Sequence, residues 1–309
     1  MLATLNALVP VFLTIVIGAV LANRRVVTGD MWAAIEHVCY YVLFPVLIIR
    51  TLATADPGQA AVSGLALVLF TAIVAMFALM FALRPLLMGP LGLSGPSYSS
   101  VFQASTRWHT FAALAIITAL YGAPGLALGS IGIIAFVPIL NVVNVAVVSR
   151  HSDGGRLEPR RLVMVIVQNP FIWSISVGIA INLGGVALPG PILTTMDLIG
   201  RGALGLGLLT VGAGLDLRSA LAARAPVLIA TGLKLVVLPS LVALACVVYG
   251  IDGFARTIAI ICGAVPTAST SYILARQLAG DATLIANTIT IQVLASAVTL
   301  PVAIWLAGS

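Results

Sequence analysis

The chain has 309 residues, 61% of them hydrophobic and only 8% charged, with a net charge of +6 and a mean hydropathy of +1.18. So few charges cannot cover the surface of a soluble domain, and the lipid bilayer is the solvent that tolerates such a surface. A spanning helix takes roughly 20 apolar residues, so the length allows about ten spans with short loops and no separate soluble domain.

The first segment, MLATLNALVPVFLTIVIGAVLANRR, has no Lys or Arg before its apolar run and no small-residue cleavage site after it. It reads as a retained first span, not a secretory signal. Spans are expected near Leu5–Ala22, Ile35–Leu52, Ala61–Leu83, Tyr98–Tyr121 and Gly125–Val148. The polar loop RHSDGGRLEPRR follows, and then spans near Leu162–Leu183, Leu198–Leu215, Pro226–Tyr249, Phe254–Ala279 and Thr283–Leu306. The expected division is 1–149 as a first five-helix half, 150–161 as a linker and 162–309 as a second half. Cys39, Cys246 and Cys262 sit in apolar runs without CxxC spacing, so they read as small buried hydrophobes, with no metal site or disulfide framework.

Basic residues set the orientation. Arg24, Arg25, Arg84, Arg150, Arg156, Arg160, Arg161, Arg218, Arg224 and Arg276 fall in the loops after the odd-numbered spans, against Arg50, Arg201 and Arg256 in the alternate loops. Positive loops stay cytoplasmic, so the central loop is expected inside, with both termini outside a bacterial inner membrane. The basic balance is thus an orientation signal, and no nucleic-acid partner is implied.

The two halves resemble each other. VPVFLTIVIGAVLA and NPFIWSISVGIAIN share a proline and a glycine eight residues later (Pro10 and Gly18, Pro170 and Gly178). STRWHTFAALAIITALYGAPGL (Ser105–Leu126) matches GAVPTASTSYILARQLAGDATL (Gly263–Leu284), with the Gly and Leu near the end in step. An odd number of spans per half starts the second half from the opposite side of the membrane. The expectation is an all-α polytopic membrane protein of ten transmembrane helices, arranged as two inverted five-helix repeats. Secondary transporters are built this way, with the substrate site at the repeat interface near the midplane.

Spans four and nine each carry a polar cluster: Gln103, Ser105, Thr106, Arg107, His109 and Thr110 in one, Pro266, Thr267, Ser269, Thr270 and Ser271 in the other. Pro266 removes a backbone donor, and a helix broken at membrane depth persists only where protein or a water-filled cavity satisfies its backbone. Half-helix N-termini carry partial positive charge and free N–H groups, so two of them meeting make an anion site. Arg107 inside a span costs at least about 2.5–3.5 kcal/mol on insertion scales, which favours a cavity or a partner for it over an interfacial, snorkelling position. The candidate binding residues are Gln103, Thr106, Arg107, His109, Thr110, Asn141, Pro266, Thr267, Ser269 and Thr270. His109 reads as a packing residue or a proton shuttle. Lys234 reads as snorkelling to the cytoplasmic side or facing the cavity. Asn141 and Asn144, one turn apart, line the site or bond between helices. Asn169 is expected to cap span six. The glycine string of span seven is expected to allow close helix approach, and Asp216 to pair with Arg218 or Arg224.

Taken in order, VPVFLTIVIGAVLANRRVV, YYVLFPVLIIRTLA, QNPFIWSISVGIAINLGGVALPGPI, LGLGLLTVGAGLDL, KLVVLPSL and AVPTASTSYILARQLAGDATLIA resemble the auxin efflux carrier family in its short bacterial form. The resemblance implies a fold similar to that of bile acid:sodium symporters and sodium/proton antiporters. Spans one, two, six and seven would form a scaffold, often a homodimer. Spans three to five and eight to ten would form a moving transport part, with broken helices four and nine crossing at Arg107–Thr110 and Pro266–Thr270. Bacterial relatives are associated with malonate, malate and similar acids. In span four RWHTFAAL departs from the Asn- and Gly-rich pattern of the family, and Trp108 with His109 would make a bulkier site for an aromatic or larger acid.

The function expected is secondary transport of a small organic carboxylate anion by alternating access, with no cofactor and with sodium or a proton as the coupling ion. The alternatives are a sodium- or proton-coupled cation exchanger on the same fold, which lacks an acidic residue deep in any expected span, and a non-transporting membrane receptor. No GxSxG or HExxH motif points to an enzyme.

Overall fold

A computed structural model of the chain describes residues 2–55, 62–151, 167–216 and 225–307. Among them every regular element is helical: α1 Leu2–Asn23, α2 Gly29–Val38, a π-helical turn Cys39–Leu43, α3 Phe44–Ala53, α4 Val62–Met88, α5 Gly95–Thr106, α6 Thr110–His151, α7 Pro170–Leu183, α8 Gly190–Ala213, α9 Ala225–Gly232, a second π turn Leu233–Val237, α10 Leu238–Tyr249, α11 Gly253–Ala264, α12 Thr270–Gln277 and α13 Ala282–Ala307. Seven stretches among the described residues are long and apolar enough to cross a membrane, and α7 and α11 are shorter apolar helices. The chain is therefore an α-helical polytopic membrane protein.

Both π turns precede a proline. Pro45 and Pro239 supply no backbone N–H, so the ladder widens by a residue. Phe44 N bonds Cys39 O and Leu238 N bonds Leu233 O. Inside α6, Gly122 takes φ 62° and ψ −149°, a left-handed conformation that suits glycine, and there the apparent single helix turns a corner.

Two helix pairs pack with almost no side chain between them. On α1, a Cβ at Gly18 would overlap the Leu209 carbonyl of α8, and one at Gly212 of α8 would overlap the Ile15 carbonyl of α1. On α7, a Cβ at Gly178 would stand 2.9 Å from Leu52 Cβ and 3.2 Å from Ile49 O of α3. Small residues let backbones meet at this range, where dispersion drives association in lipid. Asn182 of α7 donates to Ala55 O at 2.7 Å and Ala53 O at 3.3 Å, which satisfies carbonyls at the end of α3.

Two boundaries differ from expectation for one reason. α8 begins at Gly190, not near Leu198, and the second span begins at Gly29, not near Ile35. Hydropathy discounts polar first turns, yet helices absorb them. Thr194 and Thr195 donate back to Gly190 O and Pro191 O at 3.0 and 2.9 Å, and Asp197 pairs with Arg201 at 2.6 Å and with Arg50 at 3.2 Å. Most of the Arg150–Arg161 loop, the beginning expected for span six, and Arg218 and Arg224 lie outside the described residues. The three cysteines are buried and unpaired.

Candidate functional site

The helix from Gly95 ends at Thr106, and Arg107 takes an extended backbone (φ −64°, ψ 149°) before α6 starts at Thr110. The helix from Gly253 ends at Ala264, and Val265 takes nearly the same extended backbone (φ −69°, ψ 150°) before α12 starts at Thr270. The breaks fall where the polar clusters lie in the sequence. Their last helical bonds are Arg107 N to Gln103 O at 2.9 Å and Val265 N to Ile261 O at 3.2 Å.

Side chains take over where the ladders stop. Gln292 of α13 accepts from Thr267 N at 2.9 Å and donates to Ala104 O at 2.9 Å and Ala230 O at 3.3 Å, joining both breaks to α9. Thr267 Oγ1 reaches Gln103 O at 3.4 Å. Thr106 Oγ1 lies within bonding reach of Phe102 O and Asn144 Oδ1, at 2.8 and 3.0 Å. This satisfaction is what membrane depth requires of irregular backbone.

A cavity of about 430 Å³ opens against the crossing. Its walls include Arg107, Trp108, His109 and Thr110 from the first break, Ser269 and Thr270 from the second, and Asn141 from α6. Arg107 Nη1 donates to Thr270 Oγ1 at 3.1 Å, and Arg107 makes no ion pair among the described residues. The Nε of Arg107 and the Nε2 of His109 are buried without a hydrogen-bond partner among the described residues. Ser269 precedes α12 with no side-chain cap bond, and in the first turn Ser271 N and Tyr272 N donate to the backbone carbonyls of Ala268 and Ser269, each at 3.0 Å.

Of the ten candidate residues, Arg107, His109, Thr110, Asn141, Ser269 and Thr270 are on the cavity wall. Gln103, Thr106, Thr267 and Pro266 are buried behind it; Thr106 and Thr267 bond across the crossing through their hydroxyls, and Gln103 takes part through its backbone carbonyl, its side-chain amide having no hydrogen-bond partner among the described residues. Asn141 and Asn144 divide the two readings between them: Asn141 lines the cavity, while buried Asn144 donates to Leu140 O at 2.8 Å and bonds across to Thr106. Asn169 caps α7, accepting from Phe171 N at 3.0 Å and Ile172 N at 3.4 Å, and also lines the cavity. Lys234 neither snorkels nor faces this cavity: it is wholly buried in the second π turn.

Sequence reasoning missed the opposite wall. Glu36, His37, Tyr40 and Tyr41 face the cavity from the second span, with Phe171 and Thr210 beside them. Phe111 of α6 stacks on Phe44 of α3, with ring centres 4.4 Å apart, and Tyr40 lies 5.2 Å from Phe171. The signal was present in GDMWAAIEHVCYY, where Glu36, His37, Tyr40 and Tyr41 fall at the start of the expected second span.

The fold and the cavity define a polytopic α-helical membrane protein in which two interrupted helices end at one pocket. Residues 158–304 match the family model described as Membrane transport protein, which is the auxin efflux carrier type of membrane transport family. The resemblance read from the sequence holds over that stretch, and the chain is an integral membrane protein similar there to a family of membrane transport proteins. No curated protein matches the chain.

Proposed function

We propose that the protein is a secondary transporter of an organic carboxylate anion, working by alternating access. The observation that carries this reading is Arg107. It stands on the cavity wall at the crossing, where its side chain donates to a neutral hydroxyl and pairs with no carboxylate among the described residues, flanked by the starts of α6 and α12. A cation and two helix N-termini at one spot would be completed by a ligand carboxylate. Asn141, Thr110 and Ser269 would orient the bound acid, and the aromatic wall would pack on its body.

The reading includes ten crossings in two inverted repeats, divided at 150–161. Three observations support it. The Gly122 corner divides the longest stretch into two crossings. The breaks at Arg107 and Val265 coincide when Ser105–Leu126 is laid on Gly263–Leu284. Gly18 and Gly178, each eight residues after a proline, both make close contacts, α1 on α8 and α7 on α3. A two-fold axis that exchanges the halves carries one of these pairs into the other. Scaffold spans one, two, six and seven would form a homodimer and the rest would move, in a bacterial inner membrane with both termini outside.

One observation favours a second reading. Glu36 is a carboxylate on the cavity wall, as a cation exchanger would need. Thermal-shift screening of purified protein against malonate, malate and benzoate, with and without sodium, decides between them. Anion stabilisation lost in Arg107→Ala supports the carboxylate transporter, whereas sodium stabilisation lost in Glu36→Gln supports the exchanger. Uptake into vesicles then separates a carrier from a receptor.

A further inference from the structure

Lys234 is the only lysine in a chain whose Lys and Arg total 15. Every other such cation is arginine, whose guanidinium does not lose its proton in proteins, whereas lysine exchanges its proton when buried. That lysine is fully buried, and its Nζ has no hydrogen-bond partner among the described residues. It stands in a π turn, where the ladder is already widened, packed among α5, α9, α10, α11 and α13. None of these five helices contains an Asp or a Glu. Their titratable groups are Tyr98, Cys246, Tyr249, Arg256 and Cys262. Two of these helices, α5 and α11, end at Thr106 and Ala264, where the two breaks of the crossing begin.

Lys234 is therefore a hidden group packed against the two helices that end at the site. We propose that Lys234 takes up a proton when a carboxylate binds at the Arg107 crossing, so that the carrier moves an anion together with a proton. The proposal rests on the carboxylate reading above. An ammonium buried without a partner is unfavourable. A negative charge arriving beside His109 and Arg107 offsets that cost through a medium that screens poorly. Linkage then works both ways: anion binding draws in a proton, and a lower pH tightens anion binding. Sodium has no part in this coupling.

With a single lysine, the wild-type protein can be read directly. Side-chain 15N-lysine labelling gives one Nζ signal, followed across pH with malonate and with benzoate as probes. The expected result is that either acid shifts the titration of that signal toward higher pH. Calorimetry in Bis-Tris and in Tris should show net proton uptake on binding, abolished in Lys234→Met. A signal that ignores a bound acid overturns the proposal, as does unchanged proton uptake in Lys234→Met. If that variant does not fold, the wild-type titration decides alone. If neither acid binds, the carboxylate reading falls and this inference falls with it.

Discussion

Arg107 Nη1 donates to Thr270 Oγ1 at 3.1 Å, a bond between two helix breaks 163 residues apart in the chain. It holds the guanidinium at the point where α6 and α12 begin, so the cation and the two helix starts act on one spot.

Replacing Thr270 with Val keeps the volume and removes the acceptor. A hydrogen bond to a charged group contributes about 1.5–3 kcal/mol. Part of it is recovered by the ligand, so anion affinity should weaken by roughly 3- to 10-fold. Arg107→Ala should lose binding altogether while the protein still elutes as a folded species. Ligand-dependent melting in detergent measures both, and equal behaviour of the two variants would contradict the assigned geometry.

Gln292 joins three segments through one amide. In Gln292→Leu, Thr267 N, Ala104 O and Ala230 O lose that partner, at about 1–3 kcal/mol per buried unsatisfied group. The apo protein should melt well below wild type even where no ligand is present. A melting point equal to wild type would mean that water replaces the amide.

The α1–α8 contact tolerates no added atom at Gly212. Gly212→Ala must separate the helices, with an overpacking cost of about 1–3 kcal/mol. Gly205→Ala on the same helix meets nothing within 4 Å and should be neutral. Comparing thermal inactivation of the two variants tests whether the backbone contact, and not glycine content, matters.

His37 is exposed at the cavity wall on the second span. In the proposed orientation this part of α2 faces the cytoplasm. His37→Cys should react with a membrane-impermeant thiol reagent in inside-out vesicles and stay protected in right-side-out ones. Bound carboxylate should slow the labelling. Reaction from the outer face alone would reverse the topology.

Composition alone determined that the chain lives in lipid, because its charges are too few for water. Local polarity located both breaks, since RWHT and VPTAST interrupt apolar runs that otherwise continue. Asn169 as a cap and the glycines as contact points were equally legible, because caps and close approach depend on residue type at a local position. Hydropathy placed the starts at Gly29 and Gly190 too late; at Gly190 the hydroxyls of Thr194 and Thr195 and the Asp197 ion pairs satisfy polar residues inside the helix. Only the tertiary structure decided which polar residues face the cavity. Gln103, Thr106 and Thr267 are buried, the two threonines bonding across the crossing, while Arg107, Ser269 and Asn141 face the cavity. It also brought Glu36 and His37 opposite Arg107 and sealed Lys234 away from water. The sequence states where a membrane helix cannot be continuous. Which neighbour then satisfies the freed groups, and which groups remain for a ligand, depends on segments more than a hundred residues apart.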